Sequence, residues 1–274
     1  MTMPLTIIVL ISLIQGFTEF LPVSSSGHLA LIPVFTSFDY QGKILDVAAH
    51  VGTLIAVTVY LRAEIMDIAF ALIGIGRKDP ANARLGGLLA LATIPVVIAG
   101  YFVNYANWIW LDMVQTLALA NFGFAIILWI SDRIAIRRQG FDSLTWLPAL
   151  LIGFAQICAL IPGASRSGVT ISAARMLGYD RITAARLSLL LSLPTIAGAG
   201  LLKSLDLVKS GDAMLGSDAA IITILSAGLA WLAISWMMRW LSKANFSIFV
   251  YYRIALGAFL LIGLSQGWLD PFIS

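Results

Sequence analysis

Residues Gln15–His28 read QGFTEFLPVSSSGH, and they interrupt an apolar run that otherwise has the composition of a membrane helix. A carboxylate (Glu19), three successive hydroxyls (Ser24, Ser25, Ser26) and an imidazole (His28) lie inside hydrocarbon-like sequence. Ionisable groups are expensive in a bilayer, and where they persist they mark a functional site. Pro22 has no N–H to give and disfavours helical geometry at Leu21, so the helix breaks there. The serines are good N-caps for a new helix, whose first N–H groups are unpaired and attract an anion. The stretch therefore predicts a phosphate site set within a membrane.

The rest of the chain supplies that membrane. Of its 274 residues, 60% are hydrophobic and 11% charged, with a mean hydropathy of +0.95. A soluble domain carries about 25% charged residues. An all-α polytopic membrane protein follows, as a single membrane domain over 1–274. A net charge of +3 gives no reason to expect nucleic acid, and a single cysteine, Cys158, excludes an internal disulfide framework. No Lys or Arg precedes the first apolar run, the earliest being Lys43, so the N-terminus reads as retained rather than as a cleaved signal.

Outward from the motif, Leu5–Phe35 forms two apolar arms, each short of the roughly 20 residues that a span requires. They read as a re-entrant helical hairpin. Three spans are expected next, about Ile44–Leu61, Leu85–Tyr105 and Met113–Ser131, closed by the polar stretch Asp132–Ser143. The second half repeats the plan. Leu144–Met176 is again apolar and again broken, here by IPGASRSG (Ile161–Gly168). Three further spans follow, about Ala184–Leu202, Ala219–Trp240 and Phe246–Trp268. A shift of 140 residues places Pro162 on Pro22 and Ser165 on Ser25. The expected architecture is thus an inverted-topology repeat, about 1–135 and 140–274, each half a re-entrant hairpin plus three transmembrane helices, six spans in total. Inversion follows from parity, because a hairpin changes no side and three spans change sides once.

Charge sorting tests this plan. Arg62, Arg77, Lys78, Arg84, Arg133, Arg137, Arg138, Arg175, Arg181, Arg186, Arg239 and Lys243 fall on one side, against Lys43, Lys203 and Lys209 on the other. The richer side is cytoplasmic by the positive-inside rule. Both termini then face out, the first hairpin enters from outside and the second from the cytoplasm. Arg166 and Arg253 are the two basic residues inside apolar segments; Arg253, after Tyr251 and Tyr252, reads as an anchor near the cytoplasmic interface. Tryptophans such as Trp108, Trp110, Trp146 and Trp268 sit at span ends, as an aromatic belt does.

Ser25 and His28 share a helix face, and with Glu19 they offer a hydroxyl nucleophile, a base and a carboxylate for a metal or a proton. The guanidinium of Arg166 suits phosphate oxygens, while Ser165, Ser167 and Thr170 are candidates to donate to phosphate or to cap a helix. Gly163 and Gly168 permit close backbone approach. Asp46 and His50, four apart, read as interfacial rather than as part of the site. Singly, each of these groups has a structural explanation; jointly, at two mirrored breaks, they point to a site. An inverted repeat of broken helices also suits a transporter.

QGFTEFLPVSSSGHL (Gln15–Leu29) together with PGASRSGVT (Pro162–Thr170) resembles the undecaprenyl-diphosphate phosphatase family, also called the bacitracin-resistance protein family. The resemblance spans essentially the whole chain. It implies a bacterial inner-membrane hydrolase that converts undecaprenyl diphosphate to the monophosphate, recycling the lipid carrier of cell-wall synthesis. It implies dependence on Mg²⁺ or Ca²⁺, and a site open to the periplasm. Ser25 and His28 match the family's catalytic Ser and His. Gln15 and Glu19 are the ends of its Glu/Gln-x-x-x-Glu motif, and Ser165, Arg166, Ser167 and Thr170 fall in its Pro-Gly-x-Ser-Arg-Ser-x-x-Thr motif. The expected catalytic set is therefore Ser25, His28, Glu19 and Arg166, with Gln15, Ser24, Ser26, Ser165, Ser167 and Thr170 binding substrate. Some members carry Glu where this chain has Gln15, which is neutral, so Glu19 would hold the metal with substrate oxygens and water. The partners so implied are a polyprenyl diphosphate and membrane lipids; a homodimer is left open. Whether Ser25, His28 or water is the nucleophile also stays open.

Overall fold

A computed structural model describes residues 4–29, 31–36, 43–74, 79–106, 108–134, 139–210 and 213–272, which contain twelve α-helices, three 3₁₀ turns and no strand. Side chains are described for all of these except residues 26, 34–35, 43–44, 104, 199–210 and 213–215.

The first arm is α1 (Leu5–Thr18). It ends at Glu19, two residues before the break expected at Leu21 and three before Pro22. The returning arm is two short pieces, α2 (Ser25–Leu29) and α3 (Ile32–Phe35), rather than one helix. Next come α4 (Lys43–Tyr60), α5 (Arg62–Ile73), α6 (Pro80–Ala106) and α7 (Val114–Ile134). The helix α5 is an addition to the plan read from sequence, which treats that region as a loop; its C-cap is Gly74 in the left-handed region, the ordinary way to stop a helix. The second half holds α8 (Trp146–Gln156), α9 (Arg166–Met176), α10 (Arg181–Ser210), α11 (Ala213–Leu241) and α12 (Ser247–Ser265).

Four stretches among the described residues are long and apolar enough to cross a membrane: Pro80–Val103, Val114–Ile134, Gly216–Leu241 and Ser247–Ser265. Large apolar side chains stay exposed along them, for example Ile94, Val97, Tyr101 and Phe102 on α6 and Ile224, Trp231 and Trp236 on α11. A soluble protein would bury such surface; a lipid-facing one presents it. The two remaining expected spans, on α4 and α10, carry more polar residues and pack against each other.

Each broken arm packs on a helix of the other half, α1 on α11 and α8 on α6. Both contacts run through a glycine. A Cβ at Gly16 would lie 2.6 Å from Leu229 Cβ, and one at Gly153 would lie 2.4 Å from the Ala92 carbonyl oxygen. Removing the side chain lets the helix backbones approach, as small residues do in membrane bundles. The central core, with Phe20, Val23, Ile171, Leu187 and Phe249, closes around the two breaks.

Candidate active site

The two breaks adopt the same backbone device. Ser24 (φ 73°) and Ser165 (φ 69°) are the non-glycine residues with left-handed geometry among those described. Each turns its hydroxyl to accept an N–H three residues on, Gly27 N at 3.3 Å and Gly168 N at 3.1 Å. The backbone therefore matches Ser165 with Ser24, one residue away from the register that matches the two prolines. In this register Arg166 occupies the place of Ser25, and Gly163 that of Pro22. Left-handed geometry costs a residue with a Cβ about 1–3 kcal/mol and persists where surrounding structure enforces it.

That enforcement comes from Arg253, and here the reading from sequence is corrected. Arg253 is not an interfacial anchor. It is fully buried, with Nε donating to Asn121 Oδ1 at 2.8 Å, Nη1 to the Pro22 carbonyl at 3.4 Å, and Nη2 to the Gly163 and Ala164 carbonyls at 2.8 and 2.9 Å. A helix break frees carbonyls that hydrocarbon cannot solvate. One guanidinium from α12 serves both breaks at once and ties them together.

The breaks meet at Glu19. Arg166 Nη2 donates to Glu19 Oε1 at 3.1 Å, joining residues 147 apart in sequence. On the other oxygen, Glu19 Oε2 accepts from Ser25 Oγ at 2.5 Å and Gln15 Nε2 at 2.8 Å. Glu19 is 7% exposed and Gln15 wholly buried, so these charge-assisted bonds act with little screening. Arg166 also donates to the Ser188 carbonyl at 3.3 Å, and its guanidinium lies 6.0 Å above the Phe20 ring centroid.

His28 is oriented differently from the expected Ser–His pair. Its Nδ1 is 2.6 Å from the Ser24 carbonyl, which can only accept, so Nδ1 bears the proton; Nε2 then accepts from the Tyr252 hydroxyl at 2.6 Å. The partner of the Ser25 hydroxyl is Glu19. The remaining candidates build the frame. Ser167 Oγ donates to the Leu21 carbonyl at 2.9 Å, stitching one break to the other. Thr170 Oγ1 donates to Ser188 Oγ at 2.8 Å and lies 2.9 Å from the Arg166 carbonyl. Ser165 Oγ is 3.1 Å from Ser167 Oγ, and the side chain of Ser26 lies outside the described residues.

His50 was read from sequence as interfacial; α4 instead brings its Nε2 to 3.7 Å from Glu19 Oε2. Ser188, Asn121 and Tyr252 were also missed. Each comes from a helix remote in sequence, and only Asn121, a buried amide in an apolar span, left a visible signal.

Oxygen donors suited to a hard divalent cation are present. Besides the Glu19 carboxylate, Gln15 Oε1 is a buried acceptor with no hydrogen-bond partner among the described residues. Among those residues, no group of three or more His, Cys, Asp or Glu that could hold a metal ion is found.

Comparison with known proteins shows the family to which the chain belongs. The family model described as bacitracin resistance protein BacA matches residues 8–259. A protein of Erythrobacter litoralis named undecaprenyl-diphosphatase is 40% identical, the match covering 93% of this chain and 97% of that protein. Proteins of the same name from Ruegeria pomeroyi and Hahella chejuensis are 42% and 44% identical, over 93% and 94% of this chain and 96% and 97% of theirs. With the match running through both breaks and the helices that hold them, the chain belongs to the bacitracin resistance protein BacA family.

Proposed function

We propose that the chain is a membrane hydrolase that cleaves undecaprenyl diphosphate to undecaprenyl phosphate and inorganic phosphate. The observation that carries this reading is the Glu19–Arg166 pair, with Ser25 hydrogen-bonded to the same carboxylate. It sets a cation for phosphate, a hydroxyl and a proton acceptor within one buried pocket.

The diphosphate displaces Glu19 from part of the Arg166 fork, whose planar donors match phosphate oxygens two at a time. Ser25 Oγ attacks the terminal phosphorus in line with the anhydride oxygen, and its proton passes to Glu19 Oε2, which already accepts it. The anhydride P–O bond breaks, undecaprenyl phosphate leaves, and water then releases phosphate from Ser25. Glu19 would help to hold a divalent cation, which would supply charge neutralisation on the leaving phosphate. His28, fixed by Ser24 and Tyr252, borders the site from α2 and is the rival nucleophile.

The architecture follows the same reading. Alongside the four long apolar helices, α4 and α10 complete six spans, and the halves 1–135 and 140–274 are related by inversion. Matched serine turns and reciprocal packing of α1 on α11 and α8 on α6 support this. The chain lies in the bacterial inner membrane with its site and both termini toward the periplasm, as its basic residues sort.

Phosphate release by the purified chain in detergent, where no leaflets exist, tests the reading. The expected result is release from undecaprenyl diphosphate, stopped by chelator. Transfer of a non-hydrolysable analogue between leaflets of a proteoliposome, with no phosphate released from substrate, would make the chain a carrier instead.

A further inference from the structure

His50 is absent from the machinery just described, yet its placement is specific. It lies on α4, which packs against both α10 and α11 at the centre of the fold. Its Nδ1 is 2.7 Å from the Asp46 carbonyl. A carbonyl only accepts, so the proton sits on Nδ1 and the lone pair of the neutral ring is on Nε2. That nitrogen faces Glu19 Oε2 at 3.7 Å. At this distance, too long for a hydrogen bond, the ring nitrogen and the carboxylate oxygen are good neighbours only with something positive between them, a proton on Nε2 or a cation. The arrangement is that of a metal-ligating histidine, whose second nitrogen is held by a carbonyl so that the first aims at the ion.

A second observation points to the same place. Gln15 Oε1 is buried and orphaned, while its Nε2 occupies Glu19 Oε2. A half-turn of the carboxamide would withdraw Nε2 and offer Oε1 toward the carboxylate, which is favourable only with a cation between them. The half-turn exchanges groups of nearly the same shape, so it needs no repacking.

We infer that His50 Nε2 is a direct ligand of the divalent cation at this site, completing with Glu19 and Gln15 Oε1 a three-residue set that substrate phosphate and water fill out. The inference rests on the reading of this pocket as a cation-assisted diphosphate hydrolase. It has a consequence for selectivity. One imidazole with two oxygens admits Mn²⁺ more readily than Ca²⁺, which takes six to eight oxygens.

Mn²⁺ alone is the probe, added to the purified chain in detergent and read by pulsed electron paramagnetic resonance. The chain has two histidines, His28 and His50, so histidine-nitrogen coupling to Mn²⁺ has two possible sources. Coupling is expected in the wild type and in His28→Ala, and lost in His50→Ala. The Mn²⁺ dissociation constant should rise about tenfold or more in His50→Ala. It should rise less in His50→Gln, whose amide oxygen can take the vacated position. Wild-type protein that binds Mn²⁺ without nitrogen coupling overturns the inference without any variant, as does coupling that survives His50→Ala. Phosphate release by the wild type is scored separately. Release without nitrogen coupling removes His50 and leaves the hydrolase; no release with any cation removes the hydrolase, whatever the spectrum shows.

Discussion

Among the described residues, two buried carboxylates, Glu19 and Asp132, pair with arginines, and they behave as opposites. Asp132, on α7, accepts from Arg175 Nε at 3.1 Å, from Arg181 Nε at 2.7 Å and Nη2 at 3.1 Å, and from the Phe246 amide at 3.4 Å. Arg175 spends its other donors on the Tyr179 and Asp132 carbonyls, at 2.6 and 3.0 Å. The cluster pins α7, α9, α10 and the start of α12 to one another, and its side chains are committed to protein partners. Glu19 is just as buried, but its surroundings hold capacity in reserve. Gln15 Oε1 has no partner among the described residues, His50 Nε2 stands 3.7 Å off, and the Arg166 fork is only partly used. Burial of a charge pair does not by itself identify a site, since structural pairs are buried too. What makes Glu19 the candidate is its company, a hydroxyl and an imidazole beside the same carboxylate oxygen.

Substitutions at the two pairs should therefore fail in different ways. Ser25→Ala should have the largest effect on turnover, a loss of about 10⁴-fold or more, because no other hydroxyl among the described residues shares the Glu19 oxygen. Acid-quenched turnover of labelled substrate distinguishes the rival nucleophile, since a phosphohistidine is acid-labile and a phosphoserine is not. Arg166→Ala should cost about 10²–10³-fold in kcat/KM, the scale of removing one donor to a developing anion, with a smaller fall in Tm than Asp132→Ala because Glu19 keeps the Ser25 and Gln15 donors. Asp132→Ala should invert this pattern. It leaves the buried Arg175 without its carboxylate and should cost about 3–5 kcal/mol of stability, read as a large drop in Tm. The molecules that remain folded should turn over normally. Arg166→Lys should recover part of the activity lost in Arg166→Ala, a point charge standing in for one arm of the fork. Gln15→Glu should have the smallest effect on rate but raise divalent-cation affinity, because two adjacent carboxylates need a cation to coexist; unchanged affinity in a titration would separate Gln15 from the cation.

Much of the site was legible in sequence because it is local. Pro22, Glu19 and Ser25 lie within one short stretch, and a lone Arg166 beside a second break has few uses in a membrane except to meet a charge. What one-dimensional pattern does not encode is which face of a distant helix turns toward the breaks. His50 has the composition of an interfacial residue four apart from Asp46, and only the packing of α4 carries it to Glu19. Arg253 follows two tyrosines, the usual company of an interface anchor, and was misread for that reason. A physical signal was nonetheless available, because two broken helices release carbonyls that need an intramembrane donor, and Arg253 is one of the two basic residues inside apolar segments. The register slip between prolines and serines has a similar origin. The eye aligns prolines, whereas the backbone aligns the serine turns.

The most direct test measures inorganic phosphate released from undecaprenyl diphosphate by purified wild type, Arg166→Ala and Asp132→Ala, with the Tm of each recorded in the same detergent. The account predicts an Arg166→Ala protein that stays folded yet releases almost none, and a more strongly destabilised Asp132→Ala protein whose folded fraction releases phosphate at the wild-type rate. Near-normal release by Arg166→Ala would contradict it, since the phosphate would then be held by something other than the pair at the meeting of the two breaks.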